Sequence, residues 1–254
     1  MDPDGRGGYR GWSQRLAERI AGTQGGLHYA NLAVRGTTTR EIVEQQLARA
    51  VAMRPDLATV FSGTNDVMRA RFDRASFAAD VLTMQRALRA TGATVVTFTL
   101  PDLTPLLPIA RLFAARVRSM GDIVRAVCAE TGTLLVDFAA WPVTTDARLW
   151  NDDRIHANPA GHARIAEALA DALGLEGASG AWREPLPTLP PASAGAVVAR
   201  ELRWAWRYLL PSCAGALVPS GWRGNSGVGG TGGEARASQG KRPKLAPFEL
   251  PHQQ

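Results

Sequence analysis

Leu57-Ala58-Thr59-Val60-Phe61-Ser62-Gly63-Thr64-Asn65-Asp66 is a continuous apolar run that breaks, within two residues, into a polar turn around a glycine. A short run of this kind, closed by a turn, reads as a strand covered on both faces; a strand open to water on one side would alternate. Such a strand needs helices above and below it, and the flanking chain supplies them. Upstream, residues 38 to 53 carry Val43, Leu47, Ala50 and Val51 on one helical face and stop at Arg54-Pro55-Asp56. Downstream, Phe77, Val81, Met84 and Leu88 mark another helix, and Thr91-Gly92 leads into a second apolar run, Thr94 to Thr99.

The same alternation continues in both directions. A helix marked by Ile109, Leu112, Phe113, Val117, Met120, Val124 and Val127 runs through Thr131-Gly132 into a strand from Leu134 to Asp137. Asn158 and Pro159 have the residue types of an N-cap and a first helical position, and Ile165, Leu169 and Leu173 give the helix that follows its apolar stripe. Toward the start, Trp12, Leu16 and Ile20 mark a helix ended by Gly22 and Gly25-Gly26, and His28 to Val34 reads as a short strand. Strands alternating with helices predict right-handed crossovers and an α/β fold: a doubly wound, mostly parallel sheet with helices on both faces. Functional side chains in that architecture collect at the carboxyl ends of the strands.

Composition narrows the partners. At 45% hydrophobic and 20% charged residues, 254 residues can bury the core of one ordinary domain and still carry an appendage. The net charge of +6 is uneven: nine Lys and Arg oppose five acids from Glu176 onward, against twenty and eighteen before it. With 27 arginines to 2 lysines, the bias is read as GC-rich coding, and no nucleic-acid partner is expected. Cys128 and Cys213 match no metal or redox spacing, and Cys128 lies on an apolar helical stripe where a buried thiol is the default. The start, Met1-Asp2-Pro3-Asp4-Gly5-Arg6, has no charged-then-apolar signal pattern and no stretch reaches ~18 consecutive apolar residues, so a cytoplasmic protein is expected; a monomer is expected as well.

Past Gly174 the character changes. The organisation expected is an α/β domain over 1–175, a Pro-rich linker over 176–195, an amphipathic helix over 196–211 and a Gly/Ser-rich, disordered tail over 212–254. The helix carries Val198, Leu202, Ala205, Trp206 and Leu209 on one face and Arg200, Arg203 and Arg207 on the other. That pattern could lie on an anionic membrane, but one short helix with three arginines binds bilayers weakly, and packing of its apolar face on the domain is favoured.

Three loops fall where strands end: Arg35-Gly36-Thr37, Ser62-Gly63-Thr64-Asn65-Asp66, and Asn151-Asp152-Asp153-Arg154-Ile155-His156. A glycine amide open to close approach, a carboxamide donor and a histidine three residues after an acid are what acyl transfer needs for its oxyanion and proton steps. Each has a bland reading: a turn glycine, an Asx-turn asparagine, a surface histidine in an Asp-x-x-His that chance supplies on the order of a few tenths of a time in such a chain. Their joint occurrence in this order carries the argument.

These blocks resemble those of the SGNH (GDSL-type) serine hydrolases: Asn31-Leu32-Ala33-Val34-Arg35-Gly36, Gly63-Thr64-Asn65-Asp66 and Asp153-Arg154-Ile155-His156, within residues 8 to 173. The resemblance implies a flavodoxin-like fold and hydrolysis of esters, thioesters or acylated sugars, with a small-molecule ester or acylated substrate and no metal or organic cofactor. It implies that Gly36 and Asn65 furnish the oxyanion hole, His156 the general base and Asp153 the acid that orients it. Asp152, next to Asp153, is a rival for the last role. One block is missing. The family's nucleophile lies in Gly-Asp-Ser after a first strand, ahead of everything present here, so the resemblance implies a chain truncated at its N-terminus, lacking that strand and inactive as it stands. Ser13 and Ser62 sit in no strained strand-to-helix elbow and are set aside as nucleophiles. The alternative is a non-catalytic binding module that keeps the family's pocket.

Overall fold

A computed structural model describes residues 10–190 and 193–209 of the chain. Helix α1 (Trp12–Gln24) buries Leu16, Ala17 and Ile20 on one stripe. Helix α2 (Thr39–Ile42) opens with a capping box, in which Glu41 accepts from the Thr38 amide at 2.6 Å and the Thr38 hydroxyl accepts from the Glu41 amide. It runs through a π-helical turn (Val43–Leu47) into α3 (Ala48–Ala52). Strand β1 (Leu57–Val60) leads into the short α4 (Thr64–Met68) and then α5 (Arg74–Arg89), capped by the Asp73 carboxylate. Strand β2 (Thr94–Phe98), helix α6 (Ala114–Thr131), strand β3 (Leu134–Val136), helix α7 (Pro159–Ala172) and helix α8 (Ala194–Trp204) complete the order.

The sheet is parallel, in the order β1-β2-β3, with Leu57 opposite Thr94 and Val96 opposite Leu134. Val95 and Val96, successive residues of β2 pointing to opposite faces, are both 0% exposed, so helices cover both sides as the apolar runs require. Val96, Phe98 and Val136 pack with α1 and α7. Val95 packs with Leu88 and Ala93, while Phe77, Met84, Met120 and Val124 form the α5–α6 core on the same side of the sheet. The first face is notably aromatic: Phe61 stacks on Phe98 at 4.3 Å, Trp12 and Phe138 meet Phe98 edge-on at 5.3 Å, and Trp182 meets Phe138 at 5.4 Å.

Four expectations need correction. Residues 28–34 form no strand: Tyr29 and Val34 are exposed, and among the described residues β1 has a single hydrogen-bonded neighbour, β2. A strand exists through pairing, and this segment is held by side chains instead, with Tyr29 donating to Ser13 Oγ at 3.0 Å and Asn31 Oδ1 accepting from the Ala33 amide. Ile109 and Leu112 lie in an exposed 3₁₀ turn (Pro108–Leu112) ahead of α6 rather than inside it. The core also runs on past residue 175. Trp182 is 3% exposed in a 3₁₀ turn (Gly180–Arg183) and its Nε1 donates to Asp171 of α7 at 2.9 Å, so this part of the Pro-rich stretch packs as domain. Finally, α8 exposes Val198 and Leu202, the π-helical turn that continues it (Ala205–Leu209) exposes Trp206 at 75%, and α8 turns Glu201 and Trp204 toward the domain.

Cys128 is buried, takes a hydrogen bond from Gln85, and its thiol is pushed up by burial, as an inert core cysteine should be. Cys213, residues 1–9 and the 212–254 tail lie outside the described residues. Among the described residues no helix is long and apolar enough to cross a membrane.

Candidate active site

The chain between β3 and α7 is braced before it reaches the histidine. Trp150 and Ala157 form an antiparallel bridge, Asn151 N–H donates to His156 O at 2.8 Å, and Asn151 Nδ2 donates to Ala157 O at 3.1 Å. Asn158 works in both directions: its Oδ1 caps α7 by accepting from Gly161 N–H, and its Nδ2 donates to Arg148 O and Trp150 O at 2.8 and 3.1 Å. Gly161 permits this closeness, since a Cβ there would lie 2.2 Å from Leu149 O.

Within this brace Asp153 turns back on its own loop. Its Oδ1 accepts the amides of Ile155 and His156, both at 3.0 Å, and its Oδ2 lies 2.8 Å from His156 Nδ1. Burial pushes the Asp153 carboxyl up, but the two amides, the ring hydrogen bond and the imidazole charge together bring it below the ordinary range. Asp152 is exposed and makes no hydrogen bond to His156, so the acid placed against the ring is Asp153. An acceptor at Nδ1 favours the tautomer that carries its proton there and keeps Nε2 basic. The imidazole side chain is 55% exposed, and among the described residues no hydroxyl is hydrogen-bonded to it.

The other two loops are tied to each other. Asn65 Nδ2 donates to Thr37 O at 2.9 Å, one residue beyond Gly36, leaving its second N–H without an acceptor among the described residues. Asp66 accepts from Thr39 N at 3.0 Å and from Thr39 Oγ1 at 3.0 Å, fastening the start of α2 to α4. Gly36 has φ 80 and open space around its Cα, so its backbone can be approached closely. Gly63 is glycine for the opposite reason: with φ 107, a Cβ would lie 2.3 Å from Met120 Sδ.

The structure thus joins Asp153 to His156, and the Gly36 loop to Asn65. No described hydrogen bond links the two pairs; Asn65 follows β1, and the Asp153–His156 loop comes after β3. Asn158 caps α7 as its residue type predicts, but the bonds of its Nδ2 to Arg148 O and Trp150 O, and those of Asp66 to Thr39, appear only in three dimensions. Among the described residues no three His, Cys, Asp or Glu side chains converge as metal ligands would.

The family model of the GDSL-like lipase/acylhydrolase family matches residues 2–164, well over half of the chain. The chain belongs to that family. No curated protein matches this GDSL-like acylhydrolase. Among solved structures it resembles Axe2, an acetylxylan esterase from Geobacillus stearothermophilus, at 19% identity and a TM-score of 0.56, covering 69% of this chain and 84% of that one. It also resembles LAE5, an α/β hydrolase enzyme from the metagenome of Lake Arreo, Spain, at 23% identity and a TM-score of 0.56, over 65% and 81% of the two chains. TesA matches at 24% identity and a TM-score of 0.54, over 64% and 87%. At such identities the likeness is one of fold, and it agrees with the parallel sheet covered on both faces. The matched span of the GDSL-like domain includes Gly36, Asn65, Asp153 and His156; α8 lies beyond it.

Proposed function

We propose that this GDSL-type domain hydrolyses small-molecule esters or acylated substrates by a serine mechanism. His156 is the general base, Asp153 orients it, and the Gly36 amide with the free N–H of Asn65 stabilises the oxyanion. The observation that carries this reading is the Asp153 carboxylate, which spends one oxygen on the amides of residues 155 and 156 and offers the other to His156 Nδ1 at 2.8 Å. An imidazole so held can take a hydroxyl proton at Nε2, return it to the leaving group and take a proton from water in deacylation. Asn65 suits the oxyanion because one N–H, fixed on Thr37 O, orients the other.

The attacking serine is proposed to lie ahead of Met1. Ser13 accepts a hydrogen bond from Tyr29 within α1, and Ser62 follows β1 beside a glycine with no room for a side chain. The exposed imidazole, to which no hydroxyl is bonded among the described residues, also favours a second reading, a binding module that holds its ligand between Asn65 and His156. Fluorophosphonate labelling decides between them. The chain from Met1 should remain unlabelled, whereas a chain extended by its upstream codons should be labelled on the serine of a Gly-Asp-Ser block, with a rate reduced on the order of 10⁴-fold in His156→Ala. Labelling of the Met1 chain at Ser13 or Ser62 would overturn the upstream nucleophile. An extended chain that resists the probe would leave the binding module.

A further inference from the structure

Arg154 stands in the chain between the acid and the imidazole, and its backbone lies in the left-handed region with φ 60. Asparagine, aspartate or glycine adopts that conformation more readily, so an arginine there has to be held by its surroundings. The turn has a local purpose. It curls the next two amides, of Ile155 and His156, toward one oxygen of Asp153, and the Arg154 amide itself donates to Asn151 O at 2.8 Å.

The side chain is anchored at three points. Nη1 donates to Leu106 O at 3.0 Å, in the loop that follows β2. Nη2 donates to Glu201 Oε1 at 2.8 Å, and the guanidinium lies 4.6 Å from the centroid of the Trp204 ring; both partners belong to α8. With only 16% of its side chain exposed, Arg154 is far less hydrated than a surface arginine, which strengthens both contacts. The Glu201 carboxyl is held below the ordinary range, first of all by its hydrogen bond from Arg154. Meanwhile Val198 and Leu202 of α8 face outward, so what α8 offers the loop is the Glu201 ion pair and the Trp204 ring.

We propose that Arg154 is a positioning residue, and that α8, through Glu201 and Trp204, is a strap that holds the Asp153–His156 loop in the backbone conformation that sets the carboxylate against the ring. The proposal rests on the reading of Asp153 and His156 as orienting acid and base. It gives the segment after the acylhydrolase span a task at the active site that its outward apolar stripe conceals.

The test uses the full 254-residue chain and needs no turnover. In the double variant Glu201→Ala, Trp204→Ala, amide hydrogen exchange at Ile155 and His156 should accelerate about tenfold or more, because the strain at residue 154 is no longer opposed from α8. The ¹⁵N shifts of the His156 ring should move toward mixed tautomers. Val95 and Val96, in the centre of the sheet, should exchange as in the wild type. The conservative pair Glu201→Gln, Trp204→Phe keeps an acceptor and a ring, and should restore protection to within about threefold of the wild type. Unchanged exchange and ring shifts in the alanine pair would overturn the proposal, as would equal acceleration in β2, which would make α8 a support of the whole fold. Loop loosening in a protein whose extended form resists fluorophosphonate would sink the hydrolase reading alone; an unmoved loop in a labelled protein would sink the strap alone.

Discussion

Asp153 and Asp152 differ by one position, and the sequence separates them only by the three-residue spacing to His156. The folded loop separates them by physics: Asp153 collects two amides and a ring nitrogen, while Asp152 remains in water. Asp153→Asn tests what that arrangement contributes. The carboxamide can still accept the two amides, but opposite Nδ1 it presents either a neutral oxygen or an N–H that forces the wrong tautomer. A carboxyl whose folded value lies below its ordinary 3.8 adds stability that is fully present above 3.8 and is lost as pH falls through the folded value. Wild type should therefore exceed Asp153→Asn in urea stability at pH 6, and the gap should close as the pH drops below about 3.8. A gap that persists unchanged in acid would show that Asp153 contributes through packing and not charge.

At the scale of elements, what was legible followed periodicity. The runs at 57–61, 94–99 and 134–137 became β1, β2 and β3 to within a residue or two at their ends; the central β2 is buried on both faces and so is apolar at most positions, while β1 and β3, at the edges of the described sheet, are largely half-buried. The stretch from 28 to 34 had the composition without the pairing, and composition alone makes no ladder. Trp182 escaped notice because a single aromatic among Gly, Ala and Pro has no period, yet it closes the aromatic face through Phe138 and hydrogen-bonds Asp171. The outward turn of α8 was hidden similarly: its anchors, Glu201 and Trp204, lie off its apolar stripe. These two elements predict opposite responses to the same change. Trp182→Ala should cost about 3–5 kcal/mol in urea denaturation, as for a large core side chain, whereas Trp206→Ala should stay within about 0.5 kcal/mol. Equal costs would mean that the stretch after residue 175 is not part of the core, or that α8 packs through its apolar stripe.

Over the whole molecule, carboxyls set the response to acid. Among the described residues six are held below their ordinary values: Glu18, Glu41, Asp137, Asp146, Asp153 and Glu201. Each stabilises the fold above its ordinary value and ceases to do so as pH falls through its folded one, while the net charge, already +6, grows and adds repulsion. Asp80 runs the other way. It is 4% exposed, burial pushes its carboxyl up, and Arg40 at 3.1 Å only partly offsets that. A raised folded value means that the charged form costs stability at neutral pH, a cost that fades as pH falls toward 3.8. Asp80→Asn removes the charge and leaves Arg40, whose side chain is 53% exposed, to be solvated by water. The variant should therefore be at least as stable as the wild type at pH 7 and lose any advantage by about pH 4, while both unfold more easily in acid because the six remaining carboxyls are untouched. Urea midpoints between pH 7 and pH 3 measure both effects. A variant markedly weaker than the wild type at pH 7 would show that the Arg40–Asp80 pair outweighs the burial of its carboxylate, and that the α2–α5 contact depends on charge.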